Sequence, residues 1–165
     1  MPQLDVLQKM NLRDDITKAV GEARIDGFSF VRLTKWEGIL HRIAERFLKR
    51  GVRDLESVWL WNEFREVASS SQPSDQLGHL REQIGPAEVY WFIASDENGK
   101  YWVADATGSA IVRTVEEMDA FEYYVVDRHL DWLLCENHHG IFIKAQPRRN
   151  PRGEQAAPEQ PLPAA

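Results

Sequence analysis

At 165 residues, with 43% hydrophobic and 28% charged side chains, the chain has the composition of one globular domain, which excludes wholesale disorder. No apolar run approaches the roughly 20 residues that span a bilayer, and Met1-Pro2-Gln3-Leu4-Asp5 lacks the basic and apolar stretches of a secretory signal. The net charge of −6 is uneven: residues 1–87 hold 13 Lys and Arg against 13 Asp and Glu, residues 88–144 only 4 against 11, which disfavours nucleic acid there.

Leu4, Leu7, Ile16, Ala19, Val20 and Ala23 recur at helical spacing, so residues 3–23 predict one or two amphipathic helices, ended by Gly27. Phe28–Leu33 is rich in aromatic and branched residues and predicts a short strand. Thr34-Lys35-Trp36-Glu37 has the spacing of a capping box. The helix it opens would bury Ile39, Leu40, Ile43, Phe47 and Leu48 and stop at Gly51. Residues 55–67 admit two readings, a strand at Val58–Trp61 or a helix over Glu56–Val67, and a strand followed by a short helix is favoured. Ser69–Ser74 reads as a flexible loop around Pro73, and Ser74–Ile84 as a helix that ends at Gly85-Pro86.

From Glu88 the pattern turns to strands. Val89–Ala94 and Lys100–Ala104 flank Asp96-Glu97-Asn98-Gly99, whose Asn-Gly supplies the positive φ that a tight hairpin needs. Ala110–Val112 predicts a further short strand, and Thr114 a cap on a helical turn over Val115–Asp119. Glu122–Val126, Trp132–Glu136 and Ile141–Ala145 complete an antiparallel meander of about five strands. The expected fold is therefore α+β, a single domain over residues 1–146 with N-terminal helices on that sheet. Residues 147–165, rich in proline and poor in anything to bury, predict a disordered tail.

The densest polar cluster is Asp127, His129, Asp131, Cys135, Glu136, Asn137, His138 and His139. Imidazoles, carboxylates and a thiol this close could hold a divalent metal, with His129, Glu136, His138 and His139 as the candidate ligands. Adjacent histidines in a tight loop point in different directions, however, and the simpler reading is a hydrogen-bonded turn shaped by Asn137 and Gly140. Cys135, the single cysteine, allows no intramolecular disulfide and fits a reduced, cytoplasmic setting. It stands in the apolar run Trp132-Leu133-Leu134-Cys135, which predicts a buried, inert thiol and not a nucleophile. No G-x-S-x-G, Walker A or G-x-G-x-x-G sequence occurs, so no catalytic residue or cofactor is assigned.

Six tryptophans are many for this length. Tyr90-Trp91-Phe92-Ile93 and Tyr123-Tyr124-Val125-Val126 are apolar on both alternating faces, so those strands need cover on both sides. Helices within residues 3–84 can cover one face. A partner covering the other would meet aromatic anchors and carboxylates, namely Trp91, Tyr101, Trp102, Tyr124, Asp96, Glu97, Asp105 and Asp127. A homodimer through the same face is a further option.

The segment Asp131-Trp132-Leu133-Leu134-Cys135-Glu136-Asn137-His138-His139 resembles the C-terminal signature of small bacterial domains of unknown function, over about 55 residues with the preceding hairpin. The plan of N-terminal helices followed by Tyr90-Trp91-Phe92-Ile93…Asn98-Gly99-Lys100-Tyr101-Trp102 is similar to immunity proteins of bacterial polymorphic toxin systems, including the SMI1/KNR4-like group. That resemblance implies a cytoplasmic, non-enzymatic protein that neutralises a basic toxin effector through an acidic, aromatic surface. The alternative is a metal-binding or hydrolytic enzyme using the His/Glu/Cys cluster.

Overall fold

The computed structural model describes residues 11–96 and 98–147. Glu97, the first part of the predicted N-terminal helix and the predicted tail from residue 148 onward lie outside those residues. The fold is α+β, built on seven strands: β1 (Phe28–Phe30), β2 (Glu66–Ser71), β3 (Val89–Ser95), β4 (Tyr101–Thr107), β5 (Glu122–Val126), β6 (Leu133–Glu136) and β7 (Phe142–Gln146). All neighbours are antiparallel, in the order β1-β4-β3-β5-β6-β7-β2.

Both faces of this sheet are covered by the chain itself. Helix α2 (Leu33–Phe47) buries Leu40, Ile43 and Phe47 on one face, against Trp91, Ile93, Tyr124, Val126 and Cys135. Helices α1 (Leu12–Glu22), α3 (Gln76–Gln83) and α4 (Gly108–Glu117) pack on the other, where Ile16, Leu80 and Ile111 meet Tyr90, Phe92, Tyr123 and Val125. The two-faced strands do need double cover, but the cover is internal. The expectation that a partner or second copy covers one face is therefore corrected: helices before residue 84 divide between the two sides.

Several local expectations are also corrected. The Thr34–Glu37 capping box does not form, because α2 already starts at Leu33 with Arg32 at its N-cap and no side-chain cap bond. Ala110–Val112 is not a strand but the interior of α4. Thr107, not Thr114, caps that helix by accepting from Ala110 N at 3.2 Å, and the helix buries Ala110, Ile111 and Val112 in the core. Val58–Trp61 is neither strand nor α-helix; it lies between and within two 3-10 helices, Gly51–Glu56 and Leu60–Glu63. Ser69-Ser70-Ser71, read as loop, belongs to β2 and pairs with Phe142–Lys144 at the sheet edge. Gly51 does adopt positive φ (64°), but in the turn beyond α2. Two edge strands from the first half raise the strand count from about five to seven.

The 3-10 segment is held firmly. Asp54 is fully buried and accepts from Arg50 N and Nε, both at 2.7 Å, a charge-assisted clamp across the first turn. Further on, the Tyr101 hydroxyl donates to the Ser57 carbonyl. Trp59 is thereby carried to the end of the sheet where the β3–β4 and β6–β7 hairpins turn.

Candidate functional site

At that end of the sheet lies a cleft of about 540 Å³, within the usual size range of ligand sites. Its floor is Glu122, the first residue of β5, 6% exposed and on the α2 face of the sheet. A buried carboxylate must be fully hydrogen-bonded or it neutralises, and here three donors converge on it. The Tyr124 hydroxyl donates to Oε1 at 2.6 Å, the Trp61 indole N–H donates to Oε2 at 2.9 Å, and His138 Nδ1 lies 3.1 Å from Oε2. An ionised carboxylate only accepts, so the imidazole presents Nδ1–H to it. His138 is fixed as well by its neighbours, with ring centroids 5.2 Å from Trp59 and 3.9 Å from His139.

The walls come from three other elements. Trp59 is 46% exposed, the most accessible tryptophan among the described residues. Leu12 and Asp15 of α1 and Phe121 before β5 line the opposite side. Asp96 closes the β3–β4 hairpin: its Oδ1 accepts from Asn98 N at 2.9 Å and Lys100 N at 3.0 Å, and Gly99 takes φ of 73° as the sequence predicts. The lining thus carries the carboxylates of Asp15, Asp96 and Glu122 and no lysine or arginine among the described residues. Such a concave, one-signed lining raises the local concentration of cations.

On the other face of the sheet a second groove of about 470 Å³ reaches the same hairpin. Glu136 lies in it and receives the Tyr123 hydroxyl; burial raises its carboxyl above the usual range, against the lowering effect of that hydrogen bond and of nearby His79. The turn between the grooves is set by Asn137, whose Oδ1 accepts from His139 N at 3.0 Å and Ile141 N at 3.1 Å, with Gly140 at φ of 71°.

These placements separate the expected metal ligands. His138 is turned to Glu122 on the α2 face, Glu136 to Tyr123 on the opposite face, and His129 sits in the β5–β6 turn at the far end of β6. No group of three or more His, Cys, Asp or Glu is arranged to hold a metal among the described residues. Cys135 is fully buried beside Tyr124 in the α2-side core, and burial pushes its thiol well above the ordinary range, as the apolar run around it predicts.

Of the residues expected to meet a partner, Asp96 alone lines the cleft among the described residues. Trp91 is buried, with the Arg42 and Arg128 guanidiniums over its ring at 5.4 and 4.8 Å. Tyr101 and Tyr124 are buried, their hydroxyls given to Ser57 O and Glu122. Trp102 is half-buried and stacks on Trp36. Asp105 pairs with Arg128, and Asp127 accepts from His129 N and Asp131 N in the far turn. Anchoring through Trp91, Tyr101 or Tyr124 is thus closed off by burial. Trp59, Asp15, Phe121 and Glu122 were not singled out from sequence. The signal for Trp59 was its position in a segment that fits neither helix nor strand periodicity; for Glu122, a charge opening an otherwise apolar strand.

No helix among the described residues is long and apolar enough to cross a membrane. No curated protein and no solved structure matches the chain. A model of a family of unknown function, DUF6756, matches residues 8–154, well beyond the signature segment, and the chain belongs to that family.

Proposed function

We propose that this protein is a non-enzymatic binding protein of the immunity type, acting in the bacterial cytoplasm, which neutralises a basic protein partner through the cleft at the Glu122 end of the sheet. The observation that carries this reading is the cleft's composition: an exposed Trp59 beside Asp15, Asp96 and Glu122, with no lysine or arginine in the lining among the described residues. A large exposed indole flanked by carboxylates has the make-up of an interface anchor, and the acidic surround steers a basic partner and rejects an acidic one. The acidic half found by residue count contributes Asp96 and Glu122 to that surface, and α1 adds Asp15.

The test is association and protection. A basic, toxic protein encoded beside this gene should be bound by the purified chain and lose its toxicity on co-expression. Binding should weaken as salt rises from 50 to 300 mM, by a factor of ~10 or more if several charges take part. Trp59→Ala should release the partner without lowering the melting temperature. If no neighbouring basic protein is bound or neutralised, or if Trp59→Ala binds as well as the wild type, the reading is wrong.

A further inference from the structure

The cavity itself allows the bound group to be specified. We propose that the cleft reads arginine: a guanidinium lies flat against the exposed face of Trp59, its edge toward Asp15 and Asp96, in preference to a lysine ammonium. This rests on the reading of the cleft as a site for a cationic group.

Three features of the geometry favour the planar cation. The first is the wall. Trp59 is nearly half exposed yet fixed in position, its loop pinned by the Tyr101 hydroxyl on Ser57 O and its ring 5.2 Å from that of His138. A held, flat indole suits a delocalised planar cation, which stacks on it, better than a compact ammonium.

The second is solvation. Leu12 and Phe121 make much of the remaining wall apolar. An ammonium is strongly hydrated and loses more on entering such a space than a guanidinium, which is weakly hydrated.

The third is the position of the acceptors. Both oxygens of Glu122 already take hydrogen bonds from Tyr124, Trp61 and His138, so the floor offers no unoccupied carboxylate to pair with a point charge. The acceptors that remain are on the walls: Asp15, and Asp96 through Oδ2, since its Oδ1 is held by two backbone N–H groups. His138 keeps Nε2 as a further acceptor when neutral. Acceptors spread around a cavity match five donors in a fixed plane and leave an ammonium's three donors poorly met.

The experiment uses the full chain, uniformly ¹⁵N-labelled, titrated with N-acetyl-arginine amide, N-acetyl-lysine amide and N-acetyl-citrulline amide. The readout is the Trp59 indole N–H resonance, identified by its loss in Trp59→Phe. The arginine probe should shift that resonance saturably and bind about two- to fivefold more tightly than the lysine probe, the range expected for one exposed cation–π stack. Citrulline, which keeps the shape and lacks the charge, should bind at least as weakly as lysine. Asp15→Asn should weaken the arginine probe with unchanged thermal melting, and so should Trp59→Ala, followed through the Asp96 and Glu122 backbone amides, which line the same cleft. Equal binding of arginine and lysine overturns the arginine preference and leaves the cationic site standing. If neither cation moves the Trp59 resonance, or if citrulline binds as well as arginine, the cationic site falls and this proposal with it.

Discussion

Glu122 is the residue whose removal the structure makes most informative. Replacing it by alanine deletes the acceptor of three donors at once, with unequal consequences. His138 lines the cleft and Trp61 is half-buried, so both can turn to water. The Tyr124 hydroxyl cannot, because Tyr124 is wholly buried. An orphaned buried hydroxyl costs about 1–3 kcal/mol, and the lost charge-assisted bonds add about 1–2 kcal/mol beyond what water restores. Glu122→Ala should therefore destabilise the fold by about 2–5 kcal/mol. Glu122→Gln keeps the shape and one carbonyl oxygen for Trp61 and His138, while its amide N–H can donate to a rotated Tyr124 hydroxyl, so its cost should be near 1 kcal/mol. Equilibrium urea unfolding followed by fluorescence gives both values. Adding Tyr124→Phe to Glu122→Ala removes the orphan, so the double variant should be more stable than the sum of the single losses predicts, with a coupling of about 1–2 kcal/mol. If Glu122→Ala lies within about 0.5 kcal/mol of wild type, as an ordinary surface change would, or if the cycle shows no coupling, the convergence on Glu122 does not hold the fold as described.

Other outcomes follow from the same structure. Burial raises the folded-state pKa of Glu136, so the buried carboxyl favours the folded state at pH below its unfolded pKa and loses that advantage as pH rises through the folded pKa. Glu136→Gln, which can still accept from Tyr123, should flatten the decline of melting temperature between mildly acidic and neutral pH; an unchanged profile would refute the assignment. Cys135 should resist a thiol reagent in native protein and react stoichiometrically in denaturant, and fast labelling under native conditions would contradict its burial. Gly108→Ala would place a methyl 2.0 Å from the Gly85 carbonyl oxygen, backbone that cannot swing aside. It should cost about 1–3 kcal/mol or more in urea unfolding, and a neutral result would mean that the α4 entry is looser than described.

The central strands were legible in the sequence because their signals are local. Aromatic and branched apolar runs, the Asn98-Gly99 turn and the Gly140 turn fix β3 to β7 with only the ends displaced, apart from the segment at Ala110–Val112. That segment failed because Ala-Ile-Val reads equally as strand or buried helix, and the deciding contact, Thr107 capping Ala110, lies outside the apolar run. Residues 51–71 failed for a related reason. The 3-10 turns there have no period to detect, and they depend on the side-chain clamp of Arg50 on Asp54 and on the tertiary bond from Tyr101 to Ser57. β2 has a polar, serine-rich sequence and exists as a strand because β7 offers it an edge.

The need of β3 and β5 for cover on both faces was also legible, but the identity of the cover was not. Helical periodicity shows that α1, α2 and α3 each have an apolar face; it carries no information about which side of the sheet each will take. Once the chain wraps its own sheet, the aromatic content changes meaning. Trp91 packs under two arginines, Trp36 and Trp102 stack on each other, Trp132 lies against Tyr90, and Trp61 is hydrogen-bonded to Glu122. Each of these five tryptophans has a packing role that accounts for it without any partner. Trp59 does not: it is nearly half exposed, its loop is pinned by the Tyr101 hydroxyl on Ser57 O, and it lines the acidic cleft. Holding a large apolar ring in water gains the fold little, so the exposure of this residue, and not the abundance of tryptophan, is the feature that points outward to a ligand.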